Sequence, residues 1–199
     1  EVIPNGVDLS RFESTRDPAL TRRDLGIPAG APLAGTVGRL SWEKGPELFL
    51  EVAGRVSARH PDARFLVVGD GPMLPESRER ARAAGLGARV TFAGFRQDVP
   101  DLVAAMDVLM LTSSQEGMPN SVLEAMGAGR RVVATDVGGC RELVEPGVTG
   151  YLAPATDAGA LAAHLDRLFS LPDRGRSLGE AGREKVRRRY TVESMIRAY

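Results

Sequence analysis

The chain has 199 residues, 43% hydrophobic and 26% charged, and its 26 basic and 26 acidic side chains leave no formal net charge. That is the make-up of one globular domain with a sizeable core, and the charge balance argues against bulk nucleic-acid binding, which needs a basic face to release counterions. One cysteine, Cys140, excludes a disulfide framework, and the longest apolar window, Leu102 to Thr112, is short and broken by Asp107, too little to span a bilayer.

The opening "EVIPNGVD" has neither a basic start nor an apolar stretch, so no leader is read there and a soluble, cytoplasmic protein is expected. Apolar, β-branched runs then alternate with amphipathic ones. Pro32 to Gly38, Ala63 to Gly69, Ala88 to Gly94, Asp107 to Ser113 and Arg131 to Val137 read as buried strands, and Gly150 to Pro154 as a weaker sixth. Between them, Pro46 to His60 opens on a helix-starting proline and puts Leu48, Val52 and Val56 on one face. Stretches from Pro72, Val99 and Asn120 follow the same logic, and beyond Asp157 the chain turns helical and basic. The pattern predicts an α/β fold: one doubly wound, Rossmann-like parallel sheet of about six strands, with helices on both faces, in a single domain over residues 1–199.

In such a sheet, ligands bind beyond the carboxyl ends of the strands, where loops run into helix N-termini. After the first strand comes "GRLSWEKGP", in which Gly38 ends the strand and Arg39 and Lys44 precede the helix. Two cations at a helix N-terminus suit a phosphate; scattered surface charge is the alternative. Lys44 favours the first reading. All but two of the 26 basic residues are arginine, the exceptions being Lys44 and Lys185, so a compact ammonium has been kept there against the background.

Gly69 to Pro72 reads as a turn, and Gly94 with Phe95 ends the third strand where a flat ring has room to approach. The fourth strand runs into "EGMPNSVLEAM", with Glu116 and Glu124 separated by seven residues. Pro119 and Asn120 suit helix entry, and the amides near Gly117, Met118, Asn120 and Ser121 would face an anion. Glu124, one turn on, suits a cis-diol such as ribose. Helix capping explains either acid singly but not both around a phosphate nest. The first strand does not run into Gly-x-Gly-x-x-Gly, and no Gly-Lys-Ser/Thr loop occurs, so neither a nicotinamide fingerprint nor a triphosphatase phosphate loop is present.

Taken in order, "GRLSWEKG", "LVVGDGP", "VTFAGF", "EGMPNSVLEAM", "VVATDVGGCRELV" and "GVTGYLAP" resemble the C-terminal donor-binding domain of the retaining, nucleotide-sugar-dependent glycosyltransferases of the GT-B fold, glycosyltransferase group 1. "VIPNGVD" resembles that domain's opening strand. The resemblance implies a hexosyltransferase-type enzyme acting on a glycan or lipid-linked acceptor. It implies catalytic roles for Arg39 and Lys44 on the donor diphosphate and for Glu116 on hydroxyls of the transferred sugar. It further implies Glu124 on the ribose, the Gly117, Met118, Pro119 and Asn120 backbone on the distal phosphate, and Gly94, Phe95 and Arg96 around the base, with Gly38 and Gly69 lining the donor site. It also implies an N-terminal acceptor domain outside these residues as partner, without which the isolated domain is inactive, and no cofactor or metal; no Asp-x-Asp pair occurs in the chain. Arg131 and Arg130 depart from the pattern, where members commonly carry proline and small residues, which questions the packing before "VVAT".

Other polar residues read more simply. His60 and His164 are expected to be structural and Cys140, at a helix start, a small buried filler. The basic run Arg183 to Tyr190 reads as a solvated helix face, with peripheral contact to anionic lipid as its alternative. Two other functions fit the same fold: a non-catalytic nucleotide-binding module, and a nucleotide-sugar epimerase, which would want more acid–base residues than Glu116.

Overall fold

The six runs read as sheet strands all form, trimmed at their ends: β1 (Leu33–Val37), β2 (Arg64–Val68), β3 (Val90–Gly94), β4 (Val108–Leu111), β5 (Arg131–Thr135) and β6 (Gly150–Ala153). The computed structural model describes residues 3–13, 16–173 and 175–199. All neighbouring strands pair in parallel, in the order β3-β2-β1-β4-β5-β6. The winding therefore reverses between β1 and β4, and the loops leaving those two strands diverge to opposite faces, opening a crevice at their carboxyl ends.

Nine helices are described: α1 (Pro18–Asp24), α2 (Pro46–Ser57), α3 (Leu74–Ala83), α4 (Val99–Ala105), α5 (Asn120–Gly127), α6 (Cys140–Leu143), α7 (Ala158–Ser170), α8 (Arg176–Arg189) and α9 (Val192–Ala198). Side-chain parity decides which of them covers which face. Ala34, Phe65, Val67, Val108, Met110 and Val133 point to one core, shared with α2 and α7. Leu33, Leu66, Val68, Leu109, Leu111, Val132 and Ala134 point to the other, shared with α4 and α5. Strands buried on both faces explain why these runs are apolar throughout rather than alternating.

The structure corrects the sequence reading in three places. The buried stripe of α2 is Phe49, Val52, Ala53 and Val56, while Leu48 sits at its border, half-buried. The helix α1 was not expected; Asp17 caps it by accepting from the Ala19 amide at 2.8 Å, with Pro18 in its first turn. The opening segment is not a strand. Val2 lies outside the described residues, and Val7 forms only an isolated bridge with Thr191.

The arginines that break the family pattern fill the opposite rim of the sheet. Arg131 is buried and donates to the carbonyls of Asp107 (3.1 Å) and Asp173 (3.0 Å). Arg130 reaches the carbonyls of Ala104 (3.3 Å) and Met106 (3.2 Å); burial first, then the like charge of Arg131, pulls its pKa down. Arg22, from α1, donates to Ala105, Ala29 and Ala31 and pairs with Asp107 at 3.2 Å. Asp107 in turn accepts from the Leu33 amide at 2.9 Å. The packing before "VVAT" is thus intact: guanidinium donors close carbonyls at the helix and loop ends that would otherwise be buried unmet.

Arg22→Ala is expected to destabilise the fold by about 3 kcal/mol, because it removes the guanidinium that neutralises the Asp107 carboxylate and that donates to three carbonyls. Urea unfolding followed by circular dichroism measures it; a loss below about 1 kcal/mol would make the pair a surface-type bridge.

Candidate functional site

Three loops meet where the sheet reverses. The loop leaving β1 carries Gly38, Arg39 and a short 3-10 turn, Trp42–Lys44, and Gly45 in the left-handed region hands it over to Pro46 of α2. This loop is stitched to the one leaving β2: Gly38 donates to Val68 (3.0 Å), Leu40 to Asp70 (2.9 Å), and Met73 back to Leu40 (3.0 Å). At Gly69 the two backbones nearly touch. A β-carbon there would lie 1.8 Å from the Gly38 carbonyl oxygen, and φ is 131°, so no side chain fits. Gly69 donates in turn to Gly94 at 2.8 Å, since the β2–β3 register slips by one and sets Val68 opposite Gly94.

The third loop joins β4 to α5. Glu116 is held under it with only 7% of its side chain exposed. Its Oε1 accepts from Lys44 Nζ at 2.8 Å and from Ser113 Oγ at 2.6 Å. Thr112 Oγ1 lies within reach of the Lys44 and Gly45 carbonyls, at 3.1 and 2.9 Å, so the end of β4 also grips the base of the lysine. From the far side the turn after β5 seals the loop. A β-carbon on Gly138, at φ 46°, would lie 1.8 Å from the Glu116 carbonyl oxygen, and Gly139 donates to the Gly117 carbonyl at 2.6 Å.

The expected site residues all lie on this edge, but not all meet. Lys44 and Glu116 are in contact, so Lys44 is not the free cation that the sequence suggested. Arg39 is exposed, and its guanidinium makes no hydrogen bond or ion pair among the described residues. At α2, Pro46 brings no amide, and the first-turn acid Glu47 is turned aside to Arg80 at 2.8 Å. The amides of Gly117, Met118, Asn120 and Ser121 have no partner among the described residues, as an anion nest requires.

Pro119 takes the N-cap position of α5 and Asn120 the first helical one, without a side-chain cap. The Asn120 side chain instead accepts from Asn5 Nδ2 at 3.0 Å. Glu124 faces Arg11 at 3.9 Å, on the side of the opening segment. Phe95 is 75% exposed at the end of β3, and Arg96 spends its fork on Asp98, whose carboxyl that arginine holds below the usual range. Among the described residues, no three His, Cys, Asp or Glu side chains gather to hold a metal, and no helix is long and apolar enough to cross a membrane.

Comparison with known proteins gives the family. Residues 31–170 match the family model described as glycosyl transferases group 1. The chain belongs to this family. The 2-deoxystreptamine N-acetyl-D-glucosaminyltransferase of Streptomyces fradiae is 36% identical over 202 residues, covering 100% of this chain and 48% of that protein. The crystal structure of Anabaena HepE in complex with UDP-glucose superimposes with a TM-score of 0.93 at 29% identity, over 100% of this chain and 55% of that one. The C-terminal domain of a glycosyl transferase group 1 protein, LpcC, from Francisella tularensis gives 0.84 at 29% identity, over 94% of this chain and 100% of that one. The chain spans about half the length of the curated relatives it matches, 48% in the case of the Streptomyces fradiae protein.

Within this group 1 glycosyltransferase domain, Ser113, Gly138 and Gly139 escaped the sequence reading. Their only signal was position: a serine three residues before Glu116 and a Gly-Gly pair after the next strand. The remaining polar residues behave as expected. Burial pushes the Cys140 thiol up to about 11, so it stays protonated filler. His60 is held by Asp166 at 2.7 Å, and His164 stacks on Tyr151 with centroids 4.7 Å apart. In the basic run, Lys185 pairs with Glu145 at 2.7 Å and Arg188 with Glu184 at 2.5 Å.

Burial raises the Glu124 carboxyl pKa, with Arg11 opposing. A folded pKa above the unfolded one means that the stability Glu124 contributes is present below the unfolded value and is lost as pH rises through the folded one. At neutral pH the buried charge therefore costs stability. Glu124→Gln is expected to raise Tm at about pH 7.5 and to leave it near wild type at about pH 4, where both forms are neutral. Thermal melts at the two values test this, and a lower Tm for the variant at neutral pH would show that the Arg11 pair outweighs burial.

Proposed function

We propose that this domain is the donor-binding half of a retaining glycosyltransferase that takes a sugar from a nucleoside-diphosphate sugar to a glycan or lipid-linked acceptor. The observation that carries the reading is the meeting of Lys44 and Glu116 at the β1/β4 reversal, beside an exposed Arg39 and a row of unfilled amides. Cations and amides suit the diphosphate, and the carboxylate suits hydroxyls of the sugar next to it. Glu124 takes the ribose, and the Gly94 to Arg96 turn takes the base. The Anabaena complex with UDP-glucose, on the same fold, supports a nucleotide sugar as the donor.

In the transfer the bond from the anomeric carbon to the diphosphate breaks with oxocarbenium character, and negative charge grows on the leaving phosphate. Arg39, Lys44 and the Gly117 to Ser121 amides stabilise that charge, each such fixed donor being worth roughly 3–4 kcal/mol. Retention follows from same-face attack, with the departing phosphate taking the acceptor's proton. The reading needs no metal, because the protein's own cations do this work. Arg39→Ala and Lys44→Ala should each weaken nucleoside diphosphate binding by about 1.5–3 kcal/mol, and EDTA should leave wild-type affinity unchanged. Calorimetry against the diphosphates of uridine, guanosine and adenosine reads both; strict magnesium dependence would end the metal-free reading.

One wall of a cleft leaves the sugar open to water and gives the acceptor nothing to hold it, and positioning alone can supply several kcal/mol. These 199 residues should therefore bind nucleotide but transfer no sugar, whereas a chain that also carries an acceptor domain should do both. Transfer from a labelled donor to a mixed acceptor pool separates the cases, and turnover by the shorter chain would place the acceptor site within it.

A further inference from the structure

Glu116 can face a ligand with only part of its carboxylate. Oε1 already accepts two hydrogen bonds, from Lys44 Nζ and Ser113 Oγ, which leaves Oε2 as the oxygen with no partner among the described residues. The two donors differ in kind. Lys44 is a mobile ammonium on a four-carbon stem, with 35% of its side chain exposed, and a diphosphate bound beside it would compete for its protons. Ser113 is fully buried at the end of β4, and its own carbonyl accepts from Thr135 Oγ1 at 2.6 Å, Thr135 being the last residue of β5 and likewise fully buried. Its backbone is therefore tied to the end of β5, and its wholly buried side chain has no path to follow a ligand.

We infer that Ser113 is the positioning residue for Glu116: its hydroxyl holds Oε1, and so aims Oε2 at the donor sugar, when Lys44 turns to the diphosphate. The inference rests on the proposed role of Glu116 at the sugar and adds to it a residue that touches no ligand. Two features of the fold serve the same end. The Glu116 and Gly117 carbonyls are fixed by the close approach of Gly138 and the Gly139 amide, so the backbone beneath the carboxylate cannot shift. The side chain is almost wholly covered, so few rotamers are open to it. With Lys44 withdrawn and Ser113 absent, the carboxylate would have no donor left to orient it, and a buried charge without a donor swings towards water.

The test compares binding of UDP with binding of UDP-glucose and UDP-N-acetylglucosamine by calorimetry, for wild type, Ser113→Ala, Ser113→Cys, Ser113→Thr and Glu116→Gln. The readout is the ratio of sugar-conjugate affinity to UDP affinity, which a loss of overall packing would not move. Ser113→Ala should lower that ratio about ten-fold, the scale of a hydrogen bond to a charged group, with UDP affinity itself little changed. Ser113→Thr keeps the donor and should restore the ratio. Ser113→Cys, nearly isosteric with a weak donor, should fall between and serves if alanine fails to fold. A ratio that drops in Glu116→Gln but stays at the wild-type value in Ser113→Ala and Ser113→Cys overturns the inference and leaves the role of Glu116 standing. A ratio unmoved in Glu116→Gln, or no binding by wild type of these ligands or of the guanosine and adenosine diphosphates and their sugar conjugates, overturns the reading beneath it.

Discussion

Lys44 and Glu116 stand 72 residues apart in the chain and 2.8 Å apart in space, because β1 and β4 are neighbours where the sheet changes direction. That reversal is the constraint on which the rest of the molecule depends. Strands on either side wind away from each other, so their loops cannot close over the gap, and a crevice is left with helix N-termini along its edges. A charge pair placed there is neither solvated like a surface bridge nor buried like a core one. Its carboxylate is sheltered and its ammonium half-open, so the cation is the partner that a ligand can recruit.

Precision at this crevice comes from backbone contact more than from side chains. Gly69 against Gly38, and Gly138 against Glu116, bring loop backbones to distances that exclude even a methyl group. Each contact transmits the position of one strand end to the next: β3 to β2 through Gly69 and Gly94, β2 to β1 through Gly38, and β5 to β4 through Gly138 and Thr135. A loop held this way keeps its geometry without a ligand, which suits a site whose backbone donors are fixed in advance while the Lys44 ammonium stays mobile.

The opposite rim is built on the reverse principle. There the strands begin, no ligand is expected, and Arg22, Arg130 and Arg131 close stray carbonyls around Asp107. One edge of the sheet uses its polar groups up internally, and the other keeps amides and a guanidinium unspent. Charged side chains at the two ends thus do different work although the sequence presents them in the same alphabet, with adjacent arginines at 130 and 131 and an isolated one at 39.

The strands, their parallel sheet and the carboxyl-edge location of the site were legible in the sequence, because a five-residue apolar run between helical periods has one stable use in water. The family was legible too, since Arg39, Lys44, Glu116 and Glu124 keep their spacing within local stretches of chain. What the sequence could not reveal depends on contacts between residues far apart. Helix α1 is short, and what it buries is Thr21 and Arg22, the latter reaching as far as Ala105, 83 residues away in the chain, so it shows no apolar stripe. Only the fold shows that Lys44 is engaged by Glu116, that Glu124 turns to Arg11, and that the uncharged Ser113 shares the Glu116 carboxylate with Lys44. Sequence determines which segments bury their apolar faces, because that follows from local periodicity; the direction in which a polar side chain points follows from which distant backbone crowds it, and tertiary structure alone decides that.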